Sequence, residues 1–287
     1  MDWFELAYTV LGGLGIFFFG MKMLSDGLQA VASQWIRNAI NTLTTNRLMA
    51  VLIGLSVTVI IQSSSITTVM VVGFVNAGLM QLSQAIGVIL GANIGTTITG
   101  WIISIKVGKY SLLLIGLSVF PLLFSKNEKW SQLGRVVFAL GMVFLGLNLM
   151  SSAFKPLRSD DDFIQLLQYF QADNYVSLLA TISMGCLLTF IIQSSSAMLA
   201  ITIALATTGA ISFQTALALV LGENIGTTIT ALLASVGANT TAKRAGVAHA
   251  VFNVCGVLII SSFFWLYKDF IEFIIASPAD ALTDKGE

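Results

Sequence analysis

Charge is scarce in this chain. Of 287 residues only 10% are Asp, Glu, Lys or Arg, against 56% hydrophobic residues and a mean hydropathy of +0.89. That is too little polar side chain to cover a globular surface in water, which excludes an ordinary soluble domain. The 14 basic residues equal the 14 acidic ones and form no block, which excludes a nucleic-acid-binding surface. Cysteine is nearly absent. Cys186 and Cys255 both lie inside apolar segments, read as small packing residues, and cannot build the disulfide framework of a secreted protein. The single histidine, His249, has no Cys, Asp or Glu at metal-ligand spacing and reads as a packing or hydrogen-bonding residue, with a proton relay as the minor alternative. Proline-rich and Gly/Ser linkers are also missing, so one membrane domain is expected. The N-terminal MDWFELAY carries Asp2 and Glu5 where a cleavable signal would carry basic residues, and the first apolar segment is expected to be a retained span.

What is there is hydrophobic run after hydrophobic run. Windows such as Leu6 to Leu24, Tyr110 to Phe124, Val136 to Met150 with its flanks and Ala245 to Tyr267 are expected to reach the roughly 20 apolar residues that cross about 30 Å of hydrocarbon. The lipid bilayer is therefore the main solvent, and the expected fold class is an all-α polytopic membrane protein.

The chain repeats itself. QSSS occurs at 62 to 65 and again at 193 to 196, a displacement of 131; GANIGTTIT from Gly91 and GENIGTTIT from Gly222 differ by the same 131. GIFFFGMKMLS at 15 to 25 matches GMVFLGLNLMS at 141 to 151 at a displacement of 126, and the difference falls in the polar stretch containing SDDDF, where an insertion is tolerated. Two copies of one unit are expected, 1–127 and 128–270, followed by a polar tail, 271–287.

Element lengths predict breaks. Leu48 to Met80 is 33 residues, about 50 Å as one helix but only about 22 Å per arm as two. A broken or re-entrant segment with QSSS at the break fits better, and glycines in the middle of Leu82 to Lys106 raise the same expectation for GANIGTT. Irregular backbone at membrane depth must line a wet cavity or be enclosed by protein, so the breaks are expected to meet near the bilayer midplane. Between the first span and QSSS, VASQWIRNAINTLTTN is too polar to span, as is KPLRSDDDFIQLLQYFQAD in the second copy; both predict interfacial helices.

The motifs are rich in neutral oxygen and poor in charge. Gln, Asn, Ser and Thr oxygens, with carbonyls freed at an unwound helix, suit sodium. The N–H groups at a half-helix N-terminus, with hydroxyls beside them, suit an anion. No Lys or Arg lies in any of the four motifs, so such an anion site depends on bound cations, which points to cotransport. For a single serine, bonding back to its own helix is as good a reading as ligand binding; for a fourfold set duplicated at fixed spacing, binding is the better one. Glu223 is the only motif carboxylate, its repeat mate being Ala92. It reads as a sodium ligand or proton site, or alternatively as a residue at a wet helix end paired with a basic neighbour.

Duplicated QSSS, each followed by an NIGTT segment, with a closing KRAGVAHAVFNVCG, resembles the type II sodium-dependent phosphate cotransporter family in a bacterial form, over Gly12 to about Leu266. The resemblance implies inverted-topology repeats and sodium-driven uptake of inorganic phosphate by alternating access, in the inner membrane of a bacterium, with no enzymatic activity and no organic cofactor. It implies a phosphate site on Ser63, Ser64, Ser65, Ser194, Ser195, Ser196, Thr96 and Thr227. The sodium ligands would be Gln62, Asn93, Thr97, Gln193, Glu223, Asn224 and Thr228. Glu223 departs from the small or apolar residue of the animal members. A homodimer is left open. Competing readings are the same scaffold moving another oxyanion, a membrane module that senses phosphate without moving it, and, remotely, a serine hydrolase, for which no activated nucleophile is visible. Basic residues divide seven to six between the two sides an inverted repeat would have, so the positive-inside rule assigns no orientation.

Overall fold

The computed structural model describes residues 3–41, 46–105 and 110–275, and every regular element among them is helical. In chain order these are α1 (Trp3–Asn41), α2 (Arg47–Ile61), α3 (Ser64–Asn76), α4 (Leu82–Ser104), α5 (Ser111–Phe124), α6 (Glu128–Phe154), α7 (Asp161–Leu167), α8 (Tyr175–Ile192), α9 (Ser195–Thr207), α10 (Phe213–Gly226), α11 (Ile229–Ala234), α12 (Thr240–Ser262) and α13 (Phe264–Ile275). Six helical stretches among the described residues are long and apolar enough to cross a membrane: Trp3–Ala30, Leu82–Ser104, Glu128–Leu157, Tyr175–Ile192, Phe213–Ala234 and Thr240–Ser262. Large apolar side chains such as Phe4, Trp101, Phe124, Val176 and Leu258 are exposed along these and neighbouring helices, as lipid contact requires. The protein is a polytopic membrane protein.

Three expectations change. The segment after the first span is not a separate interfacial helix: α1 runs unbroken through residue 41, and residues 42–45 of that expectation lie outside the described residues. Its second-copy counterpart is short, α7 flanked by 3-10 turns at Lys155–Ser159 and Gln168–Phe170. The window from Tyr110 yields α5, 14 residues with Pro121 inside, about 21 Å and too short to cross alone. The tail expected over 271–287 lies outside the described residues from 276 onward, as do Lys106, Lys109 and Lys285 of the charge tally.

The chain forms two compact units, one within Met1–Gly13, Leu147–Ile229 and Val251–Glu287, the other within Leu14–Gly146 and Thr230–Ala250. In the second of these, a core of Ala50, Val71, Val72, Val75, Met80, Ala85, Val88 and Ile89 joins α2, α3 and α4, with Ala242 and Ala245 of α12 packed in. In the other, Leu178, Ile182, Ala218, Leu221, Val257 and Phe264 form the corresponding core. Both copies use one device to bring helices together. Without a hydrophobic drive inside lipid, small residues let backbones approach. A side chain at Gly91 of α4 would collide with the carbonyl of Val51 on α2, and one at Gly54 with that of Val88. At the positions 131 residues on, Gly222 of α10 meets the carbonyl of Ile182 on α8, and Gly185 that of Leu219.

The glycines of GANIGTT therefore do not break the first copy. α4 is continuous across them, because they serve close approach to α2 with ordinary helical dihedrals. Only the second copy breaks there, α10 ending at Gly226 and α11 starting at Ile229. The ends of α3 and α9 are matched too. Gly78 and Gly209 take φ of +73° and +71°, and Leu79 N–H to Phe74 O and Ala210 N–H to Leu205 O close the last turns. This is the left-handed helix stop that glycine adopts at little cost.

Candidate functional site

Both QSSS motifs sit at helix breaks of the same geometry. α2 stops at Gln62, in the left-handed region with φ 55° and ψ 27°; Ser63 follows in extended conformation, and its Oγ accepts from Ile66 N–H at 3.2 Å to start α3. α8 stops at Gln193 with φ 55° and ψ 23°, and Ser194 Oγ accepts from Ala197 N–H at 3.3 Å to start α9. A left-handed glutamine costs on the order of 1–3 kcal/mol, yet it occurs twice. Each break leaves carbonyls at the end of one short apolar helix and N–H groups at the start of the next without intrahelical partners.

Around the first break the freed groups are tied down from several helices. Ser25 of α1 donates to Ile61 O at 2.7 Å, and Gln29 Nε2 donates to Ser25 Oγ at 2.8 Å. Gln62, 5% exposed, donates from Nε2 to Val59 O and accepts at Oε1 from Thr99 of α4 at 3.0 Å. Thr58 Oγ1 donates to Thr67 Oγ1 across the break at 3.0 Å, Thr67 Oγ1 to Ser63 O at 3.0 Å, and Thr68 Oγ1 to Ser64 O at 2.7 Å. Ser64 is buried, while Ser63 and Ser65 are half-buried. Among the α4 residues, Asn93 Oδ1 lies 3.1 Å from His249 Nε2. Thr96 Oγ1 donates to Ala92 O at 3.1 Å, and the exposed Thr97 donates to Ile94 O at 2.7 Å. His249 is thus a hydrogen-bonding residue, with a motif residue as its partner.

Around the second break the arrangement is looser. Gln193 is exposed, and Ser194, Ser195 and Ser196 are half-buried, with Ser194 Oγ and Ser196 Oγ 3.3 Å apart. Glu223 of α10 is 4% exposed and its Oε1 accepts from Thr202 of α9 at 2.7 Å. The reading of Glu223 at a wet helix end beside a basic neighbour does not hold: it is buried and its partner is a hydroxyl. Asn224 is exposed; Thr227 and Thr228 are buried and donate back to Glu223 O at 2.7 Å and Ile225 O at 2.8 Å.

Sequence reasoning missed Ser25, Thr58, Thr67, Thr99 and Thr202. Three of these had a signal. Ser25 lies in the repeated GIFFFGMKMLS segment, Thr58 has Thr189 as its mate at 131 residues, and Thr99 closes the duplicated GANIGTTIT motif with Thr230 as its mate. Thr67, however, is matched by Met198, which offers no hydroxyl, and Thr189 Oγ1 is buried without a hydrogen bond.

Short helices that meet at a break, offering neutral oxygens at one end and helix N-termini at the other, are how a secondary transporter builds a site for ions and small anions. The family follows from comparison of the whole chain. It belongs to the Na+/Pi-cotransporter family, whose model matches residues 16–152 and 159–275. It is 35% identical over 97% of its length to the Bacillus subtilis "Uncharacterized protein YqeW", covering 88% of that protein. It is 30% identical over 91% of its length to the Escherichia coli K12 "Putative inorganic phosphate export protein YjbB", of which it spans about half (47%). One third of the chain (33%) is 39% identical to the human "Sodium-dependent phosphate transport protein 2B", covering 14% of it. No solved structure shows a significant match.

Proposed function

We propose that the protein is a sodium-coupled symporter of inorganic phosphate working by alternating access in a bacterial inner membrane, its two copies opposite in topology. The observation that carries this reading is the identical break at Gln62–Ser63 and Gln193–Ser194, left-handed glutamine followed by serine cap, within a chain of the Na+/Pi-cotransporter family. Ser63, Ser64, Ser65, Ser194, Ser195, Ser196, Thr96 and Thr227 supply hydroxyls to phosphate, helped by the first-turn N–H groups of α3 and α9. Gln62, Asn93, Thr97, Gln193, Glu223, Asn224 and Thr228 supply sodium ligands. A site for phosphate without Lys or Arg gains its electrostatic support from the bound cations, so the two cargoes bind together. An inward sodium gradient then drives uptake.

The name of the Escherichia coli relative favours a second reading, export of phosphate. One experiment tests both: radiolabelled phosphate flux in proteoliposomes with sodium imposed on either side. Phosphate accumulation on the side to which sodium flows establishes symport; flux indifferent to sodium refutes coupling.

A further inference from the structure

We propose that a cavity at the end of α9 opposite its QSSS break binds a primary ammonium group carried on a short apolar body, either the headgroup of an aminophospholipid or a free alkylamine. The site lies outside the proposed transport machinery, and its test stands apart from the phosphate reading.

The cavity has a volume of about 290 Å³ and is lined by residues within 164–215, at the low end of the roughly 300–1,000 Å³ of ligand pockets. The 13 residues of α9, Ser195–Thr207, hold it about 20 Å from the break. Two candidate spans begin beside it: Tyr175–Ile192 just after Asp173, and Phe213–Ala234 just after Ser212. That sets the cavity where a bilayer surface meets water. Exposed Tyr169 and Tyr175 bracket Gln171 and Asp173 in sequence, and amphipathic rings favour the same level.

The second copy makes the space. Gly78 and Gly209 end α3 and α9 alike, but three of the positions that follow shrink at the displacement of 131: Leu79 is matched by Ala210, Gln81 by Ser212 and Gln84 by Thr215. In the first copy two glutamines cap α4, with Gln81 N–H donating to Gln84 Oε1 at 2.9 Å. In the second, hydroxyls cap α10 in less room. Ser212 Oγ accepts from Thr215 N–H at 3.1 Å and lies 3.0 Å from Thr215 Oγ1. The preceding segment differs as well. In place of the continuous α1, the second copy has α7 and its 3-10 turns, which bring Ile164, Leu167 and Gln171 to the wall.

The lining specifies the ligand. Ile164, Leu167, Ala210 and Ile211 are apolar, Gln171, Ser212 and Thr215 offer neutral oxygens, and Asp173 is the one charged residue of the lining. Gln214 Nε2 on α10 donates to Ala172 O at 2.6 Å and to Asp173 Oδ1 at 3.3 Å. The carboxylate is thus anchored on one side, and among the described residues Oδ2 accepts no hydrogen bond. An ammonium group has three donors and no acceptor, which matches a carboxylate set among hydroxyl and amide oxygens. An anion would meet only like charge, and a wholly apolar ligand would strip water from these oxygens without replacing it. The apolar walls take the carbon chain.

The test is a ligand-observed NMR titration of the delipidated full-length chain in an uncharged detergent with n-butylamine hydrochloride, 1-butanol serving as the uncharged control. Butylamine is expected to bind saturably and about fivefold tighter than butanol. Asp173→Asn, which still accepts from Gln214, is expected to weaken butylamine about fivefold, the upper end for a pair with an exposed carboxylate, and to leave butanol unchanged. Ala210→Leu, which installs the first copy's residue, is expected to abolish binding of both. Equal binding of the two probes to wild type, or butylamine binding unchanged in Asp173→Asn, overturns the site. Asp173 is exposed, so Asp173→Asn decides even if Ala210→Leu does not fold. Repeating the titration in phosphatidylcholine nanodiscs with and without phosphatidylethanolamine separates the sources: weaker apparent butylamine binding with phosphatidylethanolamine present assigns the site to a lipid headgroup, and equal binding assigns it to a free amine.

Discussion

His249 and Asn93, 156 residues apart in the chain, meet side chain to side chain, Nε2 to Oδ1 at 3.1 Å. The bond occupies an oxygen of a motif asparagine and so helps to fix the orientation of its amide. The other ring nitrogen, Nδ1, is buried without a partner, so the histidine is held by this one contact and by packing. His249→Ala is expected to lower thermal stability by about 1–3 kcal/mol, the cost of a lost hydrogen bond and of the cavity left by a buried imidazole. It should also slow phosphate flux, since Asn93 Oδ1 then loses its contact with α12. A melting curve in detergent and an uptake assay measure the two; full flux with His249→Ala would make Asn93 orientation irrelevant to transport.

The two motif glutamines share a backbone conformation but not an environment. Gln62 is buried and bonded at both ends of its amide, while Gln193 is exposed. Gln62→Ala should therefore destabilise the protein by about 1–3 kcal/mol, and Gln193→Ala by less. Both should abolish sodium-dependent uptake. Gln193→Gly, which removes the left-handed strain, should be at least as stable as wild type yet inactive. Normal uptake in Gln193→Gly would reduce that glutamine to a structural stop.

Close helix approach gives a sharp packing test. Gly91→Ala and Gly222→Ala each drive a methyl group into a facing carbonyl, and each should cost about 1–3 kcal/mol or more and cut the yield of monodisperse protein. Gly73→Ala and Gly116→Ala, where an added methyl group meets no atom within 4 Å, should behave as wild type on size-exclusion chromatography. A tolerated Gly222→Ala would mean that the α8 and α10 backbones can separate freely.

Thr58 and Thr189 are repeat mates with opposite fates. Thr58 donates to Thr67, while Thr189 Oγ1 is buried and unbonded. Thr58→Val should cost about 0.5–1.5 kcal/mol, whereas Thr189→Val, an isosteric change that removes an unsatisfied hydroxyl, should be neutral or stabilising. Thermal melts of the two variants, run side by side, check the order.

Coupling has a thermodynamic signature. If sodium supports a phosphate site that has no basic side chain, replacing sodium by choline at constant ionic strength should weaken phosphate binding by about 5–150-fold, and phosphate must tighten sodium by the same factor. Calorimetry in both directions measures it. Phosphate affinity indifferent to sodium would end the symport reading.

How much of this was legible beforehand depended on the range of the interactions. The QSSS breaks were readable because they are local: a 33-residue apolar run with a polar interruption cannot be one crossing helix, and a Ser in the right place caps the next one. The duplication of the motifs was readable because a displacement of 131 needs no structure to see. The GANIGTT glycines misled, since a glycine required for close approach and one required for an irregular dihedral are the same letter. What separates them is the α2 backbone lying against α4, which is some 40 residues away in sequence. The interfacial helix after the first span misled for a related reason: polar side chains over 31–41 argue against burial in lipid but do not stop a helix that is already nucleated.

The sequence by itself determined the solvent, the helical class and the positions of the QSSS breaks, because composition and helix length are set by residues near one another in the chain. Only the tertiary structure decided which side chains converge on the motifs. Thr99 on Gln62, His249 on Asn93 and Thr202 on Glu223 are pairings between helices. Inside a membrane protein a hydroxyl, amide or carboxyl takes whichever partner packing brings within about 3 Å, and that depends on helix approach, which no single segment encodes.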